Sequence, residues 1–347
     1  MNYSFTKDYN NIVYLNGKVV YIPYKLIKNK IINSFSHKDF FNLCSFFETF
    51  LIDRTKTLTQ DIVILDKIPY KSDYNHSFEK VVNISAKQIV LKALNDNKKI
   101  ELLWSGGIDS TTALIAIYQE LKKVQQLDNL TIVLSKESID EFNIFFTKFI
   151  KKNLNYIIFT PPIFTSLDPN KLIITGELGD QIFGGNTTYN YLLSRKDIFN
   201  SYDNLLELIL YEKFKDKKTI QNIISYINPF IKKAPFKLNT LYDVLWWFDF
   251  AGKWQFVQFN LISKTYQEGE LKFKLNDNII HFFNHIEFQK WAIQNRKKQT
   301  EYTPYTYKLQ AKEYIYKFFP NKTYLLKKQK ERSLKKIICN NQFPFSI

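Results

Sequence analysis

Seven residues, Trp104-Ser105-Gly106-Gly107-Ile108-Asp109-Ser110, put two hydroxyls, two adjacent glycines and a carboxylate into one turn. Adjacent glycines let an anion approach the backbone closely, and a turn that opens into a helix aims backbone amides and the helix dipole at that anion. The ligand predicted on these grounds is a nucleotide phosphate. A second stretch, Thr175-Gly176-Glu177-Leu178-Gly179-Asp180-Gln181-Ile182-Phe183-Gly184-Gly185, sets two carboxylates among four further glycines.

The elements that must position these turns lie on either side of them. Residues 99–103 read as a buried strand before the first turn, and Ala113, Leu114, Ile117 and Leu121 make the apolar stripe of a helix after it. Further strands are expected at 130–134, 156–159 and 171–175, with a helix over 139–152. Strand and helix in alternation imply an α/β fold with a parallel sheet and right-handed crossovers, whose ligands sit beyond the carboxyl ends of the strands. Both turns follow strand ends, so they can face one site.

Residues 1–95 read as a small N-terminal α+β unit. It opens on a hairpin over 12–22 around Asn16-Gly17, the pair that favours a tight turn. A helix over 38–52, a strand at 61–65 and a helix over 78–95 follow. Residues 96–335 form the main domain, with a sheet core over 98–188 and a helical part over 189–335, where helices are expected at 205–214, 220–227, 241–259, 282–294 and 305–319. The tail, 336–347, is basic and then polar.

Composition narrows the class. The chain has 347 residues, 45% hydrophobic, and no apolar run approaches the ~18 residues of a membrane span. The first residues lack the basic and apolar regions of a signal peptide, which makes the expected address cytoplasmic with no membrane partner. Two cysteines, Cys44 and Cys339, give neither a disulfide framework nor a metal-ligand spacing. The net charge of +16 raises nucleic acid as a partner, and residues 290–336 carry 14 Lys or Arg against three Glu. Most of these are lysines without aromatic platforms, so a solvated basic surface is the favoured reading. His281 and His285 share a helical spacing with no convincing third ligand for zinc. The aromatics from Trp246 to Phe259 read as helical core rather than a substrate pocket.

The first turn lacks both the Gly-Lys-Ser/Thr ending of a Walker loop and the three-glycine spacing of a dinucleotide fingerprint. It matches the Ser-Gly-Gly-x-Asp-Ser signature of the PP-loop ATP pyrophosphatases. The second stretch resembles the Gly-Glu-Gly-Ala-Asp-Glu-Leu-Phe-Gly-Gly block of asparagine synthetases and their relatives, the β-lactam synthetases and lasso-peptide cyclases. This resemblance spans roughly 98–335, and implies a PP-loop fold of the adenine nucleotide α-hydrolase kind. It implies that Ser105, Gly106, Gly107 and Ser110 hold the pyrophosphate of ATP, and that Asp109 and Asp180 share Mg²⁺. Trp104, Val133, Thr175 and Gly176 would frame the nucleotide, and Glu177 would face the reacting centre. The closing segment, from Tyr307 to Glu331, resembles the family's basic end, and Lys330 is the lysine expected to stabilise charge at that centre, with Lys308 and Lys328 as competitors.

The activity so implied is an ATP-dependent amide-forming ligase. A carboxylate, aspartate or a related small-molecule or peptide acid, is activated as an acyl-adenylate with release of pyrophosphate, and an amine then displaces AMP. The family's N-terminal glutaminase needs a terminal cysteine, whereas this chain begins Met1-Asn2; the nitrogen is therefore expected from ammonia, a substrate amine or a separate glutaminase. Two departures bear on activity: Leu178 stands where the family has a small residue, and Gln181 where it has Glu. They keep a catalytically silent nucleotide-binding homologue among the alternatives, beside a PP-loop enzyme that modifies nucleic acid.

Overall fold

The structure, a computed structural model, describes residues 3–5, 12–24, 26, 38–58, 61–69, 74–160, 163, 166–267, 270–271, 273–296 and 303–329. The chain forms two compact units, each assembled from the described residues of separated segments. The first draws on 1–73, 180–272 and 292–303, the second on 74–179, 273–291 and 304–347. The sequence reading instead divides the chain in order at residue 95; here helix α1 (Phe78–Asn95) belongs to the second unit and packs against α2 (Ile108–Lys123).

The second unit is α/β. Its sheet holds five parallel strands, β1 (Ile100–Leu103), β2 (Leu130–Leu134), β3 (Asn155–Ile158), β4 (Leu172–Thr175) and β5 (Ile279–His281), in the order β5-β4-β1-β2-β3. Runs such as Leu172-Ile173-Ile174 are fully buried, as expected of strands covered on both faces. Ile100 stands in register with both Leu130 and Leu172. The carboxyl ends of β1 and β4 are therefore level, and the two glycine-bearing turns leave neighbouring strands at the same edge of the sheet.

Two helices in this unit differ in extent from their expectation. The helix expected over 139–152 begins earlier, at α3 (Lys136–Glu141), where Ser135 and Ser138 form a capping box, and it continues only as short turns with a π-helical stretch at Phe146–Ile150. Residues 282–294 start as the end of a strand: β5 runs beside β4, Phe282 N–H continues the ladder to Thr175 O at 2.9 Å, and the helix begins only at Ile286. A short apolar run buried on all sides has no period to distinguish strand from helix.

In the first unit Val13–Leu15 and Lys18–Tyr21 form the expected hairpin, and Tyr3–Phe5 adds an antiparallel third strand. Asn16 and Gly17 both have positive φ, 50° and 74°, as a tight hairpin turn requires. Residues 61–65 are not a strand. Val63 N–H makes one bond to Val19 O, while the buried Gln255 side chain takes Leu65 N–H on Oε1 and donates Nε2 to Val20 O and Val63 O. One amide thus substitutes for a ladder. The helix expected over 241–259 is split into Leu241–Trp247 and Trp254–Ile262 by a π-helical turn at Phe248–Gly252. Trp246, Trp247, Phe250 and Trp254 are fully buried core. Among the described residues no helix is long and apolar enough to cross a membrane.

Candidate functional site

Strand β1 ends at Leu103, and Trp104 N–H extends its pairing to Val133 O at 2.9 Å while the indole Nε1 donates to Thr111 Oγ1 at 3.0 Å. The buried indole fixes where the turn begins. Ser105 and Ser110 then close it: Ser105 N–H donates to Ser110 Oγ at 3.1 Å, the two hydroxyls lie 3.0 Å apart, and Gly107 N–H reaches Ser105 Oγ at 3.3 Å. Gly106 has φ +80°, and a methyl group there would stand 2.5 Å from Ser138 O. Glycine is needed at that position for conformation and for space.

Helix α2 starts directly from this turn. Its N-cap, Gly107, offers no side chain, so the first-turn amides receive none of the capping that Ser135 gives α3. A helix start without a side-chain cap, with the positive end of a 16-residue helix behind it, is chemically suited to an anion.

The second turn packs onto this one. A methyl group at Gly176 would lie 2.7 Å from Ser110 N and 3.1 Å from the Asp109 carbonyl carbon, and one at Gly179 would overlap the Asp109 carboxylate. The two missing side chains are what let the β4 turn reach the start of α2. Glu177 N–H donates to Thr175 Oγ1 at 3.1 Å, and that hydroxyl shares a 2.7 Å hydrogen bond with His281 Nδ1 at the end of β5. Leu178 has φ +73°, a left-handed conformation that costs a non-glycine residue ~1–2 kcal/mol, held here by a fully buried side chain.

Two lysines of the segment 304–329 reach the same turn. Lys308 Nζ lies 2.5 Å from Asp109 Oδ2, with Lys308 buried and itself left-handed at φ 56°. Lys328 Nζ lies 3.1 Å from Glu141 Oε1, both nearly buried; a methyl group at Gly107 would stand 3.3 Å from the same Glu141 oxygen. Aromatic packing brings this segment in: Tyr324 stacks on Phe142 at 4.0 Å, and Phe319 meets Phe145, which in turn packs on Trp104. Tyr314 OH donates to Gln119 Oε1 at 2.9 Å, tying helix α4 (Leu309–Phe318) to α2. Between the two lysines sits Lys312, fully buried, donating to the carbonyls of Tyr305 and Lys328, with burial pushing its pKa down to about 8.

Asp180 belongs to the first unit, where the far end of the second motif is anchored. Tyr242 OH donates to Phe183 O at 2.8 Å, Trp246 Nε1 to Ile182 O at 2.9 Å, and Gly185 N–H to Asp249 Oδ2 at 2.6 Å. Asp249 is fully buried, also accepts from Thr188 Oγ1, and pairs with Lys253 at 2.8 Å. The π-helical turn carries this carboxylate.

Of the residues expected at the site, Trp104, Ser105, Gly106, Gly107, Asp109, Ser110, Val133, Thr175, Gly176 and Glu177 come together at the carboxyl edge of the sheet in the second unit. Lys330 lies outside the described residues. The geometry adds Glu141 and His281, and brings Lys308 and Lys328 onto the turn. Glu141 carries no motif signal; His281 stood out in the sequence only as a weak zinc candidate. No group of three His, Cys, Asp or Glu side chains that could hold a metal occurs among the described residues. No family model matches the chain, and no curated protein matches it.

Proposed function

We propose that this chain is an ATP-dependent amide-forming ligase of the asparagine-synthetase kind, with a PP-loop fold. The observation that carries the proposal is the seating of the second motif on the first, Gly176 against the Ser110 amide and Gly179 against the Asp109 carboxylate. A structural turn would have no reason to place two hydroxyls, uncapped helix amides, a carboxylate and two lysines around one strand end.

The turn amides and the hydroxyls of Ser105 and Ser110 would take the phosphates of ATP. For Mg²⁺ the donor set fits: it binds through one or two carboxylates and keeps phosphate oxygens and waters for the rest of its shell, and the Asp109 carboxylate already accepts a cation, the Lys308 ammonium. Asp109 would hold it. When bound, the ion supplies charge neutralisation on the departing pyrophosphate.

The chain's own groups divide the remaining work. A substrate carboxylate oxygen attacks the α-phosphorus; the new O–P bond forms as the bond to the bridging oxygen breaks, and pyrophosphate leaves. An amine then attacks the acyl carbon, the C–N bond forms, and AMP departs with the former carboxylate oxygen. Glu177 would take the amine proton. Lys308, preorganised by its buried pairing with Asp109, would stabilise the charge developing in both steps. Lys328 offsets the charge of Glu141 beside the phosphate turn.

ATP–pyrophosphate exchange tests this proposal. With a panel of carboxylic acids, exchange of labelled pyrophosphate into ATP that depends on one acid supports it. ATP binding with no exchange for any acid would reduce the protein to a nucleotide-binding homologue, and acid-independent exchange stimulated by RNA would favour a nucleic-acid-modifying enzyme.

A further inference from the structure

Strand β5 gives the sheet an edge that ends on His281, in register with Thr175 and buried to 1% exposure. The imidazole meets the second motif at Thr175 Oγ1. Thr175 Oγ1 accepts the Glu177 N–H at 3.1 Å and lies 2.7 Å from His281 Nδ1. With the ring proton on Nε2, the hydroxyl donates to Nδ1, and the bonds run Glu177 N–H to Thr175 O–H to imidazole. A threonine hydroxyl rotates freely, so its value as an acceptor depends on what fixes its proton.

The backbone around this chain of bonds gives it a purpose. Glu177 is the first residue of a turn that passes through left-handed Leu178 before Gly179 meets the Asp109 carboxylate. A strained turn stays in place only when its surroundings over-determine it. The β5 main chain is itself fixed by Phe282 N–H on Thr175 O and by Ser85 Oγ on Phe282 O at 2.8 Å, so the imidazole stands on a rigid support.

We propose that His281 is a positioning residue for the second turn. Acting through Thr175 Oγ1, it fixes the Glu177 amide and thereby sets the carboxylate of Glu177 relative to the phosphate turn. Thr175 is then a link in this chain of bonds rather than a nucleotide ligand. The proposal rests on the ligase reading for the role of Glu177, and on geometry alone for the order of the turn.

Two readouts separate these dependencies. Amide hydrogen exchange at Glu177, measured against the amides of β1, reports the turn whether or not the protein is active. His281→Leu and Thr175→Val should each speed exchange at Glu177 by about 10-fold or more, with β1 unaffected. The double variant should exchange no faster than Thr175→Val alone, because both remove the same link. His281→Asn, whose amide stands where Nδ1 does, should stay within about 3-fold of wild type, whereas His281→Gln, which reaches the Nε2 position, should behave like His281→Leu. The Asn and Gln pair decides the matter if the leucine variant does not fold. In acid-dependent pyrophosphate release, His281→Leu should lower kcat about 10- to 100-fold and leave KM for ATP within about 3-fold. Wild-type exchange at Glu177 in His281→Leu, or equal exchange in the Asn and Gln variants, overturns the inference. Absence of pyrophosphate release from the wild type removes the ligase reading while the exchange result still stands.

Discussion

Replacing Gly176 by alanine probes the contact on which the two motifs depend. The added methyl would stand 2.7 Å from Ser110 N, 2.9 Å from Ser110 Cα and 3.1 Å from the Asp109 carbonyl carbon. Ordinary carbon contacts begin near 3.5 Å, and all three neighbours are backbone of the first turn of α2, so no side chain can swing aside. Strand end and helix start must separate by roughly 0.5–1 Å. Overpacking of this kind costs about 1–3 kcal/mol, and a displacement of about 1 Å in a site that works by placement costs on the order of 100-fold in rate. Gly17→Ala is the control: nothing lies within 4 Å of its added methyl, but its φ of +74° makes alanine costly by about 1 kcal/mol. Thermal melting and Mg-ATP titration should show both variants destabilised and only Gly176→Ala impaired in nucleotide binding and pyrophosphate release. Equal nucleotide affinity in the two variants would refute the claim that the motifs share one site.

Three further outcomes follow from the same geometry. Lys308→Gln removes the ammonium from Asp109 and should lower pyrophosphate release by about 100-fold or more with the fold retained, read by steady-state kinetics beside circular dichroism. Asp249→Asn leaves the Lys253 ammonium without its buried counter-charge and should cost about 3–5 kcal/mol, seen as a large fall in Tm. Lys312 has a folded pKa of about 8 against 10.5 for the free side chain, so between these values the unfolded chain binds more protons and stability rises with pH. From pH 7 to 9.5 the gain should be about 2 kcal/mol relative to Lys312→Met, by denaturant titration at each pH. Above pH 10 the stability of both proteins falls, because burial raises the pKa values of Tyr21 and Tyr314 and their ionisation favours the unfolded chain.

Much of the sheet was legible because its strands are continuous apolar runs bounded by turn residues: Leu130–Leu134 coincides with the run Leu-Thr-Ile-Val-Leu. The hairpin was legible in Asn16-Gly17 for the same reason of local chemistry. What was hidden depends on distant partners. Residues 61–65 have strand composition, yet their hydrogen bonds go largely to a glutamine some 190 positions later, so no local pattern could exclude a ladder. Strand β5 exists because β4 presents an open edge, which Ile279-Ile280-His281 does not reveal by itself.

The site divides in the same way. The glycines of both motifs could be read from sequence because their lack of a side chain is the chemistry, and the structure gives each one a neighbour that a methyl would strike. The lysines could not be ranked, since Lys308, Lys328 and Lys330 are alike in a basic segment; the left-handed backbone at Lys308 and the aromatic packing of Phe319 and Tyr324 bring Lys308 and Lys328 to the turn. Leu178 is a departure whose cost is now visible: its φ of +73° suits glycine, and the buried side chain offsets the strain.

The most direct test is whether the protein cleaves ATP between its α- and β-phosphates. Incubation with Mg-ATP and a panel of carboxylic acids, followed by separation of the nucleotide products, should yield AMP and pyrophosphate in proportion to one acid, with both products lost in Asp109→Asn, whose Tm falls as Lys308 loses its buried counter-charge but whose circular dichroism shows the fold retained at the assay temperature. Formation of ADP and phosphate, or AMP formation undiminished in Asp109→Asn, would contradict the account.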